Sequence, residues 1–307
     1  MKIRNWALRS GFLLFFGSCF SICCYAEQST ADQSVFESRF GPFGVFDSRS
    51  VYGKGIYPEP FLIDDSDLEV NELRFDWLHA EASGTQTNVF TTEVEKGFGL
   101  MTVELEVHYD YDTLRAFDVP TGTSTFHRMS AFDNADLGVR HPVYQFVSND
   151  EFFDTTFGIG LEVGIPMNTP LSKNAEIVPK IFNDTRIGDH FTIQTILGYS
   201  YLLGSKPDGG TQTFEYGFLF GWAFQHRELP LPDVEQFIPI LELSGNTLAN
   251  THAGGFNSLV GNAAFRVNLN AIDRFQPRLG LGYVFPIDKG ARDETRWGVY
   301  TSLVFDF

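Results

Sequence analysis

Arg296-Trp-Gly-Val-Tyr-Thr-Ser-Leu-Val-Phe-Asp-Phe307 is the stretch that decides the fold class. Because alternate residues of a β-strand point to opposite faces, this stretch has one apolar face and one mixed face. The apolar face carries Trp297, Val299, Thr301, Leu303, Phe305 and Phe307. Its length matches the roughly 9–11 residues of a tilted strand that crosses a bilayer. The unpaired edge of such a strand invites aggregation, and only a closed barrel removes that edge. The stretch therefore predicts the closing strand of an outer-membrane β-barrel.

The first 26 residues have the three parts of a secretory signal peptide. Basic residues at positions 2, 4 and 9 precede an apolar run from Gly11 to Ile22, and Cys24-Tyr25-Ala26 forms a small-residue cleavage pattern. We therefore expect residues 1–26 to be removed on export to the cell outer membrane. A lipoprotein signal at Cys23 or Cys24 is the less favoured alternative. Since all three cysteines lie in this segment, the mature chain has no thiol for disulfides or catalysis.

The composition excludes several other classes of protein. The formal net charge of −17 argues against a nucleic-acid partner, whose phosphates would be repelled. Beyond the signal peptide no apolar run approaches the roughly 20 residues that a membrane helix needs. The 32 phenylalanines fall mostly at alternating positions, which is typical of lipid-facing strands.

A period-2 pattern recurs from Glu69 onward and predicts an all-β, up-and-down antiparallel barrel of about twelve strands. The predicted strands cover residues 69–80, 86–95, 100–110, 134–146, 155–166, 175–187, 190–203, 213–226, 236–244, 257–269, 275–285 and 296–307. An even number suits a bacterial single-chain barrel. The weak strand at 175–187 is needed to keep this parity. With the C-terminus in the periplasm, residues 111–133 are predicted to be a long extracellular connection.

The predicted domains are a signal peptide over 1–26, a segment over 27–68 and the barrel over 69–307. The middle segment is rich in turn formers, among them Tyr57-Pro-Glu-Pro60. We interpret it as a periplasmic lead-in or a partial plug of the barrel.

Charged residues on the strand faces opposite the apolar ones predict a polar lumen. A charge at the bilayer midplane costs roughly 2–4 kcal/mol when it faces lipid, so these residues must face inward. The predicted lumen-lining residues are Glu104, Glu106, His108, Glu162, Glu215, Glu242, Arg266, Arg278 and Arg296. A soluble barrel is disfavoured because its small interior cannot hold the six aromatic rings that alternate between Phe214 and Phe224. The excess of carboxylates in the lumen predicts a preference for cations or neutral solutes over anions.

No catalytic, cofactor-binding or metal-binding residues are predicted. The histidines lack the spacing of a metal motif. His108 with Glu104 and Glu106 could form an acid–base group, but a polar cluster lining the lumen is favoured. We therefore expect a protein that is not an enzyme and needs no cofactor.

Several segments together resemble the outer-membrane proteins of the MetA-pathway of phenol degradation family. They are Asp136-Leu-Gly-Val-Arg140, Gly158-Ile-Gly-Leu-Glu-Val-Gly-Ile-Pro166, Leu197-Gly-Tyr-Ser-Tyr201, Ile240-Leu-Glu-Leu-Ser-Gly245 and Gln276-Pro-Arg-Leu-Gly-Leu-Gly-Tyr283. The resemblance covers residues 130 to 307 in order and does not extend to residues 27–130. It implies an outer-membrane barrel associated with the passage of aromatic or other apolar small compounds.

These patterns lead to three hypotheses of function. The first is an outer-membrane channel for passive passage of a small-molecule solute. The second is a structural or adhesive barrel with a closed lumen. The third is an outer-membrane lipid hydrolase, which would need a serine near a histidine such as His127 or His252 at the outer rim. The expected partners are outer-membrane lipid and the barrel-assembly machinery, for which the terminal Phe307 is the predicted assembly signal.

Overall fold

The structure is a computed structural model that describes residues 57–64, 71–82, 84–118, 123–203, 212–249 and 256–307. All of these residues belong to one compact unit, Pro42–Phe307. The predicted signal peptide, residues 27–56 and residues 65–70 lie outside the described part of the chain.

The described residues form twelve long strands and one two-residue strand. They are β1 (Asn71–Ala82), β2 (Thr85–Phe98), β3 (Met101–Asp118), β4 (Thr123–Val147), β5 (Phe153–Ile165), β6 (Ala175–Ile187), β7 (Phe191–Leu203), β8 (Gln212–Trp222), β9 (Phe224–Gln225), β10 (Val234–Leu248), β11 (Asn257–Leu269), β12 (Gln276–Pro286) and β13 (Trp297–Asp306). β8 and β9 together take the place of one strand, since both pair with β10 and they are separated at Ala223. The predicted count of about twelve strands is confirmed.

All neighbouring strands are antiparallel, and the sheet closes on itself. β1 pairs with β13 in a continuous register from Glu72↔Asp306 to Glu81↔Trp297. β10 joins the strands β1 to β8 to the strands β11 to β13, because it pairs with β8 on one side and with β11 on the other. The prediction of an up-and-down barrel with a closing C-terminal strand is therefore confirmed.

The prediction of a long extracellular connection over residues 111–133 is wrong. β3 continues to Asp118 and β4 begins at Thr123, so most of that segment is a paired hairpin with partners such as Asp112↔Met129. The cause is that alternation of apolar and polar residues marks a strand only where one face is buried in lipid or core. The backbone pairing of β3 and β4 continues beyond the stretch where the sequence shows that alternation.

The two faces of the sheet have the reverse polarity of a soluble barrel. Outward-facing aromatic residues are exposed, as Phe90 and Phe157 show at 48% each. Inward-facing charged residues are buried, and Glu242 and Arg266 are 0% exposed. An apolar exterior around a polar interior is the pattern of a barrel whose solvent is lipid. Among the described residues, no helix is long and apolar enough to cross a membrane.

One short helix, α1 (Lys289–Glu294), lies in the connection between β12 and β13. The Asp288 carboxylate caps it by accepting a hydrogen bond from the backbone N–H of Ala291 at 2.8 Å, and it also accepts one from Leu259. These hydrogen bonds lower the pKa of Asp288, the one from Ala291 most strongly. The cap thus fixes this connection at the end of the barrel opposite Phe307.

Candidate functional site

Residues 57–64, Tyr-Pro-Glu-Pro-Phe-Leu-Ile-Asp, lie inside the barrel, and we call them the inner segment. Tyr57 and Phe61 are 2% and 3% exposed, and the Glu59 carboxylate is fully buried. The segment reaches from Pro58, beside Gly221 of β8, to Asp64, beside Lys180 of β6. It therefore forms part of the interior and contacts several strands at once.

The Glu242 side chain of β10 holds the middle of the inner segment. Its Oε1 atom accepts hydrogen bonds from three consecutive backbone N–H groups, those of Phe61 (3.2 Å), Leu62 (2.8 Å) and Ile63 (2.7 Å). Its Oε2 atom accepts a hydrogen bond from Nδ2 of Asn262 at 3.0 Å. Hydrogen bonds to an ionised acceptor are about twice as strong as neutral ones, so this carboxylate is a strong anchor.

Three arginines bind the carbonyl and carboxylate oxygens of the preceding residues. Arg266 donates to the Glu59 carbonyl through Nε (2.5 Å) and to the Pro60 carbonyl through Nη2 (2.8 Å). Arg74 donates to the same Pro60 carbonyl at 2.7 Å. Arg278 donates to Oε1 of Glu59 at 2.7 Å. Proline has no backbone N–H, so the only backbone group of Pro60 that needs a hydrogen-bond partner is its carbonyl oxygen. The guanidinium groups of Arg74 and Arg266 supply the donors.

The apolar side chains of the inner segment fill spaces beside lumen glycines. The Phe61 ring packs edge-on against Tyr300 with ring centroids 5.3 Å apart, and the Arg266 guanidinium lies 4.5 Å from its centre. A Cβ atom at Gly280 would lie 2.7 Å from this ring, and one at Gly217 would lie 2.1 Å from Cγ2 of Ile63. Both glycines are therefore required for the segment to approach the strands.

Buried ion pairs surround the inner segment. Arg140 of β4 contacts the carboxylates of Glu95 and Glu104, the latter at 3.6 Å. Lys180 of β6 contacts the carboxylates of Glu162 and of Asp64 at the end of the segment. These pairs satisfy charges that would otherwise be costly to bury. Together with the inner segment they lie in the lumen of the barrel.

Two cavities lie beside Ile63 and Asp64. The larger, about 470 Å³, is lined by Asp64 and by residues near the end of the barrel opposite Phe307, including Glu176, Ser200 and Leu248. The smaller, about 360 Å³, is lined by Glu93, Glu106 and His108. Glu215 and Lys180 border both cavities.

The structure distributes the nine residues predicted to line the lumen among different partners. Glu242, Arg266 and Arg278 contact the inner segment, Glu104 contacts Arg140, and Glu162 contacts Lys180. Glu106, His108 and Glu215 border the cavities. Arg296 is exposed, precedes β13 and donates its backbone N–H to the Glu81 carbonyl at 2.7 Å. Phe307 is 45% exposed, and its backbone N–H donates to the Asn71 carbonyl.

The sequence prediction omitted several residues that the structure brings into the site. Arg140, Lys180 and Asp136 point inward and contact predicted carboxylates or His108. Arg74 also points inward, and it contacts Glu93 and the Pro60 carbonyl. The sequence contained a signal for all four, since each lies on the polar face of a predicted strand. Of the two candidate histidines for a hydrolase, His127 is exposed on β4 and His252 lies outside the described residues.

Comparisons with known proteins show the fold of the chain. No family model and no curated sequence matches it, so the resemblance to the MetA-pathway family is not confirmed. The structure is similar to the crystal structure of an outer-membrane channel from Pseudomonas putida F1, with a TM-score of 0.52, 11% identity, and coverage of 82% of this chain and 99% of that one. Weaker likenesses are to the NanC porin (TM-score 0.42, 9% identity, 77% and 98% covered) and the KdgM porin (TM-score 0.42, 11% identity, 76% and 99% covered).

Proposed function

We propose that the protein is an outer-membrane channel for small solutes, in which the inner segment controls passage through the lumen. The observation that carries the proposal is the Glu242 carboxylate, which holds three consecutive backbone N–H groups of a separate segment inside a closed barrel. The apolar exterior and the predicted signal peptide support the outer membrane as its location. The proposal includes no catalytic step.

The solute class that we propose is neutral or cationic molecules with an apolar part. Among the residues that border the two cavities, acidic ones outnumber basic ones: Asp64, Glu93, Glu106, Glu162, Glu176 and Glu215 against Arg74 and Lys180. Apolar residues such as Ile196 and Leu202 lie between them. This lining suits the aromatic or apolar compounds that the family resemblance implies, and carboxylate-lined pores favour cations.

We infer that the inner segment acts as a partial plug, which is one of the two predictions for residues 27–68. As a plug it has to be bound firmly enough to stay in place and weakly enough to move. Each hydrogen bond to a charged group contributes about 1.5–3 kcal/mol, so loss of the Glu242 anchor would release the middle of the segment. The three arginines would still hold Glu59 and Pro60.

The decisive experiment compares Glu242→Gln with the wild type in planar lipid bilayers. We expect a several-fold higher mean conductance or open probability, because the amide lacks the negative charge that strengthens the hydrogen bonds to the three N–H groups. Glu215→Gln is the matched control, since Glu215 borders both cavities and contacts none of these N–H groups. Equal conductance of wild type and Glu242→Gln would show that the inner segment does not control passage.

A structural or adhesive barrel with a closed lumen is the second candidate. The ion pairs of Arg140 with Glu95 and Glu104 favour it, because they fill space beside the inner segment. This candidate predicts no conductance from the wild type or from Glu242→Gln, and no solute-driven swelling of liposomes that contain either protein. A conducting Glu242→Gln barrel would exclude it.

A further inference from the structure

We propose that Glu106, His108 and Asp136 form a binding site for a divalent transition-metal cation, with Zn²⁺ as the representative ion. The site is independent of solute passage, so it stands whether or not the barrel conducts. The three side chains lie on β3 and β4 and face the lumen, and Glu106 and His108 border the smaller cavity.

The donor atoms are spaced as ligands of one ion. Nε2 of His108 lies 3.1 Å from Oδ2 of Asp136 and 3.6 Å from Oε2 of Glu106, and all three donor atoms lie within 4.8 Å of one another. Zn–N and Zn–O bonds of about 2.0–2.2 Å in a tetrahedral arrangement place neighbouring ligand atoms about 3.3 Å apart. An ion between these atoms would need only small movements of the side chains.

The strand register explains why a cation is needed here. Glu93, Glu106 and Asp136 are direct cross-strand neighbours on β2, β3 and β4, which makes a row of three carboxylates. Like charges directly opposite one another destabilise a sheet. Arg74 lies 3.5 Å from Glu93 at one end of the row. The other two carboxylates, those of Glu106 and Asp136, are contacted by His108. His108 lies at a bulge in the pairing of β3 with β4, between Val107 and Tyr109.

The imidazole of His108 is oriented for metal binding. Its Nδ1 atom lies 3.0 Å from the Thr91 hydroxyl, which can accept a hydrogen bond from an N–H at that position. In this tautomer the lone pair of Nε2 points at the two carboxylates. That arrangement is repulsive unless a proton or a metal ion lies between them. A ligating histidine whose other ring nitrogen donates a hydrogen bond is the usual arrangement of protein metal sites.

The chemistry of the donors selects the class of ion. Imidazole with two carboxylates suits Zn²⁺ and similar transition metals, whereas Mg²⁺ and Ca²⁺ prefer oxygen ligands alone. The adjoining cavity of about 360 Å³ leaves room for water molecules to complete the coordination. The ion would reach the site from the same cavity.

The test is zinc binding by the purified full chain in detergent, without a histidine tag, measured by isothermal titration calorimetry and by elemental analysis after dialysis. We expect one Zn²⁺ per barrel. Asp136→Asn and Glu106→Gln should weaken the affinity at least tenfold, and His108→Ala should abolish binding. Glu215→Gln is the matched control for Glu106→Gln and should bind as the wild type does. A millimolar excess of Mg²⁺ or Ca²⁺ should not displace the zinc.

A competing explanation is that His108 is a protonated partner of two carboxylates and binds no metal. Absence of stoichiometric zinc in the wild type would support that explanation and overturn the proposal. Zinc bound equally by wild type, His108→Ala and Asp136→Asn would also overturn it, because the ion would then lie elsewhere. Thermal melting of each variant without zinc would identify any variant that fails to fold. Co²⁺ gives a second measurement, since loss of its visible absorption in His108→Ala would show that the imidazole is a ligand.

Discussion

Gly217 and Gly280 show that an absent side chain can be as important to the lumen as a charged one. We predict that Gly217→Ala displaces the inner segment, because its Cβ would lie 2.1 Å from Cγ2 of Ile63, whose backbone N–H is bound to Glu242. Limited proteolysis with chymotrypsin should then cleave at Phe61 or Leu62 several times faster than in the wild type.

Gly160→Ala is the control for this prediction. The nearest atom to a Cβ at Gly160 is the Val139 carbonyl oxygen at 3.4 Å, which is an ordinary contact. Equal cleavage rates in Gly217→Ala and Gly160→Ala would contradict the proposed close packing of Ile63.

For a single residue, the sequence could predict whether the side chain faces the lumen or the lipid, but not which atoms it contacts. The period-2 pattern placed Glu242 and Arg266 opposite the apolar faces, and both are buried inside. Their hydrogen-bond partners in the inner segment lie 179 or more residues away and are backbone atoms, which no side-chain pattern encodes. His108 was grouped with Glu104 and Glu106, yet Glu104 contacts Arg140 and the bulge brings His108 to Asp136.

The residue that follows the closing strand β13, Phe307, is held by few contacts. Phe307 donates one backbone hydrogen bond to Asn71, and its exposed ring lies 6.3 Å from that of Phe275. Since these contacts are few, we predict that deletion of Phe307 lowers the yield of assembled barrel in the outer membrane much more than it lowers the Tm of barrels already folded. The yield should fall because the barrel-assembly machinery is predicted to bind the terminal aromatic residue.

Phe275→Ala serves as the comparison for that deletion. It removes the ring partner while it leaves the terminal residue in place. Membrane yield can be followed by the heat-dependent mobility of the folded barrel on gels. A normal yield after deletion of Phe307, or an equal loss in Phe275→Ala, would undo the assembly role.

The elements themselves were largely predictable, for physical reasons that also explain the failures. β6 was predicted from weak alternation and from parity, and it spans Ala175–Ile187 as predicted. The ends of β3 and β4 were wrong because alternation fades where those strands continue beyond the apolar belt. α1 has six residues, too few for a helical period to stand out.

Ion selectivity is a property of the whole molecule. The chain has a formal net charge of −17, and the cavities are bordered mostly by carboxylates. We predict that barrels reconstituted in a potassium chloride gradient show a reversal potential of the sign for cation preference. The preference should weaken at 1 M salt, where the screening length falls to about 3 Å. An anion-selective reversal potential in the wild type or in Glu242→Gln would contradict this prediction.

The sequence could predict a closed barrel because an even strand count and an aromatic final strand constrain the whole sheet. It could not decide between a lead-in and a plug for residues 27–68. The inner segment lacks periodicity, and it is bound through carbonyl and N–H groups that nearly every residue possesses. Only the three-dimensional placement of Glu242 and the arginines distinguishes Tyr57-Pro-Glu-Pro60 from an ordinary turn.

The anchor of the inner segment also has a consequence for the order of folding. The segment precedes β1, whereas Glu242, Arg266 and Arg278 belong to β10, β11 and β12, at sequence separations of 179 to 219 residues. Loops of this length close late, so the docked state cannot form until the last third of the chain has been synthesised and paired. Docking of the inner segment therefore cannot precede β10, β11 and β12, and a sheet that lacks these strands cannot hold the segment in this way.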